Sequence, residues 1–347
     1  MKYLAVLQAY RALAALLVVA THAARLASAR FGPGELDFLF GLGDAGVSFF
    51  FVLSGYVMVW AHEEDFGRPR ALSSYFRKRA LRIYPVYVFV TLLILPVWFA
   101  FPESGSAHHR EALPLLKSLL LVPQAHPPHL AVGWTLTHEA FFYLLFGMMI
   151  LSRNLGALLM ASWTIAVIAG EVSGLNAEYP ASFFLSEFNL LFPLGMLAAF
   201  VARRLPALSG SAGLWAYVAG NLMFLMMLVF ATGALRQFPA PLLYGAAAFL
   251  ILAGAVNPSV DGFFRARKAL LFLGAASYSL YLIHYPAMSL AGKVLTLATG
   301  EKTFFHPVAG FAVLSAAGVL AGILLYLRVE RPLLARLRGG LRDQARF

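Results

Sequence analysis

The run Arg11-Ala-Leu-Ala-Ala-Leu-Leu-Val-Val-Ala-Thr-His22 decides how the rest of the chain is read. It is a hydrophobic helix with a cation near one end and an imidazole near the other. At about 100° and 1.5 Å per residue, eleven steps bring His22 to within roughly 20° of Arg11's face, about 16 Å along the axis. In a bilayer, one stripe of this helix carries both polar groups. Ionisable side chains at that depth are costly and by default face a protein interior or a water-filled cavity. The plainer alternative is that Arg11 snorkels to one interface and His22 sits at the opposite headgroups.

The surrounding composition makes the membrane setting firm. The 347 residues are 61% hydrophobic and only 12% charged, with a mean hydropathy of +0.76. Soluble domains carry about twice that charged fraction. The absence of cysteine excludes disulfides, thiolate catalysis and cysteine-ligated metal sites. The expected fold is an all-α polytopic membrane protein with about ten spans, near 4–24, 42–61, 83–101, 131–151, 155–172, 183–201, 212–233, 240–257, 271–291 and 307–328.

Placing both termini inside puts nineteen of the 27 Lys and Arg residues on the cytoplasmic side and seven outside, leaving Arg11 within the first helix. The net charge of +11 is therefore a topology signal, and nucleic acid is not an expected partner. Lys2, Arg11, the apolar run and Ala27-Ser28-Ala29 imitate a cleavable signal peptide. A retained helix makes the loop charges alternate correctly. The chain divides into a transmembrane unit over 1–332 and a basic cytosolic tail over 333–347, lying against anionic lipid with no chemistry implied.

Gly41-Leu-Gly-Asp44-Ala-Gly46 formally matches a dinucleotide fingerprint, but no strand precedes it, and close helix packing through small residues explains it better. Arg77-Lys78-Arg79-Ala-Leu-Arg82-Ile-Tyr84-Pro85 concentrates four cations at the mouth of the third span. Ordinary positive-inside anchoring competes there with a phosphate-binding surface for a cytosolic donor, for which Arg forks are suited. His108, His109, His126 and His129 crowd the longest outer loop, yet their spacing fits no metal-ligand pattern and no metal is expected. His22, Glu139, Glu187 and His284 all fall in the outer halves of four spans, which points to a shared polar cavity there. A His beside a carboxylate is the minimum equipment for general-base activation of a hydroxyl, with His22 as the base.

These motifs resemble one family. Arg11-x10-His22, Gly46-Val-x-Phe-Phe-Phe-Val-Leu-Ser54-Gly55, Arg79-x2-Arg82-Ile-x-Pro85, Trp134-Thr-Leu-x-x-Glu139-x-Phe-Phe-Tyr143 and Tyr278-Ser-Leu-Tyr281-Leu-Ile-His284 occur in the order found in the acyltransferase-3 family. The resemblance covers about residues 3–332 and is nearest to the bacterial branch that acetylates exopolysaccharides and O-antigens. It implies an inner-membrane enzyme that takes acetyl groups from cytosolic acetyl-CoA and delivers them to a polysaccharide or lipid-linked saccharide hydroxyl outside, with polysaccharide-assembly proteins as expected neighbours.

In that picture Arg11 and His22 are the paired essential residues and Glu139 supports the catalytic pocket. Arg77, Arg79, Arg82, Ser54 and Tyr84 surround the donor, and Asp44, Trp134, Tyr143, Glu187, Tyr281 and His284 complete the pocket. Many relatives carry Asp where this chain has Ser48, so Asp44 or Glu139 would have to substitute. Family members with a fused extracytoplasmic domain also exist; this chain ends soon after its tenth span. A proton-coupled transporter or flippase is the alternative reading of the same polar groups, and an assembly scaffold a third.

Overall fold

The computed structural model describes residues 4–32, 36, 39, 42–100, 106–230, 240–299 and 306–344. Apart from short turns, the described elements are helices. They are α1 (Ala5–Phe31), α2 (Leu42–His62), α3 (Leu72–Ala100), α4 (Ala112–Leu119), α5 (Gly133–Leu151), α6 (Arg153–Ser173) and α7 (Ala181–Phe184). There follow α8 (Leu191–Arg204), α9 (Ser211–Phe230), α10 (Ala240–Gly254), α11 (Pro258–Arg265), α12 (Lys268–Thr299), α13 (Pro307–Leu325) and α14 (Arg331–Gln344). Helices satisfy their own backbone hydrogen bonds, which is what a bilayer demands of a spanning segment. Leu92, Leu93, Leu144, Ile165 and Leu290 stand exposed on the outside of the bundle, an apolar surface suited to lipid.

Among the described residues eight helical segments are long and apolar enough to span a membrane, and a bent pair, α10 with α11, makes a ninth. The expected span 271–291 lies in the 32-residue α12, long enough to cross, in which Ser277, Tyr278, Ser279, Tyr281 and His284 interrupt the apolar sequence. The α10–α11 bend is 94°. Asn257 caps α11 by accepting hydrogen bonds from Ser259 N and Val260 N, and Pro258 occupies the first helical turn.

α1 lies at the centre of the bundle, packed against α2, α12 and α13. Its first amides have no side-chain cap of their own. Asp261 from α11 accepts from Ala5 N at 2.5 Å and Val6 N at 3.3 Å, placing a carboxylate at the positive end of the helix. A second group, α2, α8 and α10, packs against α1 through α2. Gly55 and Gly195 let α2 and α8 touch backbone to backbone: a Cβ on Gly55 would strike Phe192 O, and one on Gly195 would strike Val52 O. Gly46 likewise brings α2 against the Ala14 carbonyl, so this glycine of the false dinucleotide motif serves helix packing. α3 is attached to the rest mainly through α5 and α12. Its looser seating leaves a cavity between α1, α2, α3, α5 and α12.

Two interruptions shape that interior. The sixth expected span, 183–201, is broken into α7, a 3-10 turn over Glu187–Leu190 and α8. Asn189 mends the break by donating to Phe183 O and Phe184 O while its Oδ1 meets His138 Nδ1 at 2.8 Å. After α13 the chain adds a π turn, Tyr326–Glu330. Pro332, lacking an N–H and crowding the carbonyl four residues back, accounts for the departure from α-helical bonding.

Candidate functional site

The cavity has a volume of about 700 Å³, within the range of small-molecule sites. Helical spacing explains which side chains reach it. On α3, Lys78, Arg79 and Arg82 share a face, three and four residues apart, and all three line the cavity. Arg77 is exposed and Tyr84 donates to Leu120 O at 3.1 Å, and neither lines the cavity. Arg11 enters from α1. On α5, Thr135, Glu139 and Tyr143 form an i, i+4, i+8 stripe. Glu139 Oε1 accepts from Ser54 Oγ at 2.7 Å and Tyr143 Oη at 2.5 Å. From α12 come Ser277, Tyr278 and Tyr281.

Four cations thus face one carboxylate in the lining, so the cavity is electropositive. The arginines are not equivalent. Arg82 Nη1 donates to Glu330 Oε1 at 2.8 Å and its guanidinium lies 5.1 Å from the Tyr278 ring centroid. Glu330, 1% exposed, also accepts from Ser279 Oγ at 2.6 Å. Arg79 lies 5.8 Å from the Tyr143 ring centroid, forms no ion pair among the described residues, and its Nε is buried without a partner. A guanidinium so placed is ready for an anionic ligand.

The polar groups expected in one outer cavity are divided among three places. Glu139 joins the arginines. His22 and His284 face each other, His22 Nδ1 and His284 Nε2 being 3.1 Å apart, and neither lines the cavity. Glu187 and Asp44 are within electrostatic range of each other near the start of α2, and Asp44 is exposed. The carboxylate expected to orient His22 is therefore not its partner: an imidazole is. The division follows from the helix axis, since Arg11 and His22 share a stripe of α1 but stand about 16 Å apart along it. Tyr281 links the two regions. It lines the cavity, its hydroxyl meets Thr135 Oγ1 at 2.8 Å, and its ring centroid is 6.0 Å from that of His284.

Other expectations resolve as follows. Trp134 packs against Phe51, Phe188 and His138, outside the cavity lining. Ser48 is fully buried and its hydroxyl has no partner among the described residues. Glu330, given no role by the sequence alone, is a buried partner of a lining arginine. Among the described residues no group of three or more His, Asp or Glu could hold a metal ion. In the outer loop His129 Nδ1 meets Ser118 Oγ at 3.1 Å, and His109 stacks on Trp98 with centroids 4.2 Å apart.

A family model described as an acyltransferase domain matches residues 5–327. The chain is similar to the exopolysaccharide production protein ExoZ of Rhizobium meliloti (strain 1021), 31% identical over 86% of this chain and 91% of that protein. It is also similar to the acyltransferase MdmB of Streptomyces mycarofaciens, 28% identical over 96% of this chain and 92% of the relative. No solved structure matches significantly.

Proposed function

Because this chain belongs to the acyltransferase-3 family, and is thus a membrane acyltransferase, we propose that it moves an acetyl group from cytosolic acetyl-CoA to a saccharide hydroxyl on the far side of a bacterial inner membrane. The observation that carries this reading is the convergence of Arg11, Lys78, Arg79 and Arg82 on one cavity. Such a site suits the phosphates of an acyl-CoA, and Arg79, which has no acidic partner among the described residues, is best placed to take one. With the N-terminus inside, these cations lie toward the cytosol and His22 toward the exterior, and the basic tail over 333–347 rests on the cytoplasmic leaflet.

His22 Nε2 removes the proton of the acceptor hydroxyl. The oxygen bonds to the thioester carbonyl carbon, the carbon–sulfur bond breaks, and the departing thiolate takes the proton back from His22. Glu139 accepts hydrogen bonds from Ser54 and Tyr143 and so stands as a carboxyl among the cations of the cavity lining. The similarity to ExoZ, an exopolysaccharide production protein, supports an exopolysaccharide or lipid-linked saccharide as acceptor, and polysaccharide-assembly proteins as neighbours in the membrane.

The test is acetyl-CoA turnover by detergent-solubilised protein supplied with lipid-linked oligosaccharide, wild type beside His22→Ala. Turnover in the wild type that is lost in the folded variant supports both donor and base. A wild type that neither binds nor consumes acetyl-CoA overturns the donor assignment, and undiminished turnover by His22→Ala overturns the base.

A further inference from the structure

The hydrogen bonds around His22 determine which of its nitrogens carries the proton. His284 Nδ1 is 3.0 Å from Leu280 O, and a carbonyl oxygen can only accept, so the proton of a neutral His284 sits on Nδ1. Its Nε2 is then a lone pair. That lone pair faces His22 Nδ1 at 3.1 Å, and the same His22 nitrogen lies 3.1 Å from Val18 O. Both neighbours of His22 Nδ1 are acceptors, so it must be the donor. His22 Nε2 is left without a proton and forms no hydrogen bond among the described residues. We propose that His284 is a positioning residue which, together with Val18 O, holds His22 in the Nδ1–H tautomer and so presents Nε2 as the base, and that Val18 O alone holds it only in part. This rests on the acyltransferase reading for its purpose, although the dyad itself is a geometric fact.

The arrangement does by another route what a carboxylate does for a catalytic imidazole. A carboxylate fixes the tautomer and stabilises the cation formed when the base takes a proton. A neutral imidazole fixes the tautomer by offering one lone pair, and keeps the pair free of net charge in a low-dielectric interior where an unpaired carboxylate would be costly. His284 is rigid enough for the task. It is fully buried, tied to its own helix through Leu280 O, and backed by Gly318 of α13, where a Cβ would press on His284 Cβ at 3.3 Å. On its other side the His22 ring is bounded by Tyr285, with centroids 5.3 Å apart.

Two substitutions separate positioning from mere packing. His284→Leu keeps the bulk and removes the acceptor; His284→Gln puts an oxygen close to the position of Nε2. With both variants inserted and folded, the Leu variant should lose roughly 10²- to 10⁴-fold in kcat, the scale of a mis-set tautomer. Its KM for acetyl-CoA should stay within about twofold, since the dyad lies apart from the cations, and the Gln variant should regain most of the loss. Independently of turnover, the nitrogen-15 signals of a histidine-labelled sample should show His22 protonated at Nδ1 in the wild type and in His284→Gln. In His284→Leu they should show a mixture of tautomers.

Unchanged kcat in His284→Leu, or an Nε2–H tautomer of His22 in the wild type, overturns the proposal. So does failure of His284→Gln to exceed His284→Leu in turnover. If His284→Leu does not fold, the comparison of His284→Gln with wild type decides. A wild type inactive toward acetyl-CoA but with the Nδ1–H signal would remove the donor reading and leave the dyad standing.

Discussion

At the scale of single residues, Arg79 and Arg82 look alike in the sequence but differ in what surrounds them. Arg82 is committed to Glu330, whereas Arg79 is uncommitted. Arg79→Ala is expected to raise the KM for the acyl donor at least tenfold, with thermal stability in detergent close to wild type. Glu330→Ala should do the reverse, because it strands Arg82 and Ser279 at a buried site. Breaking a buried pair costs about 3 kcal/mol, read as a lowered unfolding midpoint before any change in donor affinity. Equal stability of Glu330→Ala and wild type would show the pair to be incidental. None of this was visible in the chain, where 248 residues separate the partners. The cationic cluster was legible as a candidate because four charges stand within six residues at the mouth of a span, although positive-inside anchoring accounts for such a run as well. Its carboxylate partner was not, because a Glu followed by Arg and Pro near a terminus reads as solvated.

At the scale of elements, hydropathy located the helices but not their defects. The break before α8 depends on a His138–Asn189 contact between two helices, and the π turn on Pro332, neither of which leaves an apolar gap. α12 shows the converse: its polar stripe lowers its hydropathy while marking it as the wall of a site. The outer segment between α3 and α5 gives a pH prediction. Burial, above all, pushes His129 below the ordinary histidine value near 6.5, and His109 and His108 beside it add to the effect; burial does the same to His109. The unfolded segment therefore binds more protons than the folded one as pH falls through 6.5, so its stability is complete above that pH and declines below it. Protection factors across residues 106–130, with the intrinsic slowing of exchange at lower pH taken out, should fall between about pH 6.5 and 5, and His129→Gln should flatten the dependence. A profile indifferent to pH in the wild type would show that these imidazoles stay neutral for other reasons.

At the scale of the whole molecule, the bundle keeps its positive charge in one interior place and its histidine dyad in another, with Tyr281 between them. The polytopic class and the residues of both places were legible from composition and from motif order. Their separation was legible too, with the cations read toward the inner end and the histidines toward the outer. That Glu139 joins the cations was not, because its depth was judged from helix ends placed only to within several residues. An electropositive donor site implies that ionic strength weakens donor binding. Raising salt from 50 to 500 mM should increase the KM for acetyl-CoA several-fold in the wild type and less in Arg79→Ala. A KM insensitive to salt would mean that the cations do not meet the donor's charge.

α1 runs without interruption from Ala5 to Phe31, and Arg11 and His22 both hang from that one rod. An unbroken helix does not stretch, so it acts as a ruler. The span between the place that grips charge and the place that removes a proton is set by eleven peptide units and by nothing else. A donor is measured against it: a cargo on too short an arm never arrives, and one on too long an arm overshoots. Acceptor preference can change around His22 over evolutionary time without recalibrating the grip at Arg11, provided that no residue is gained or lost in between.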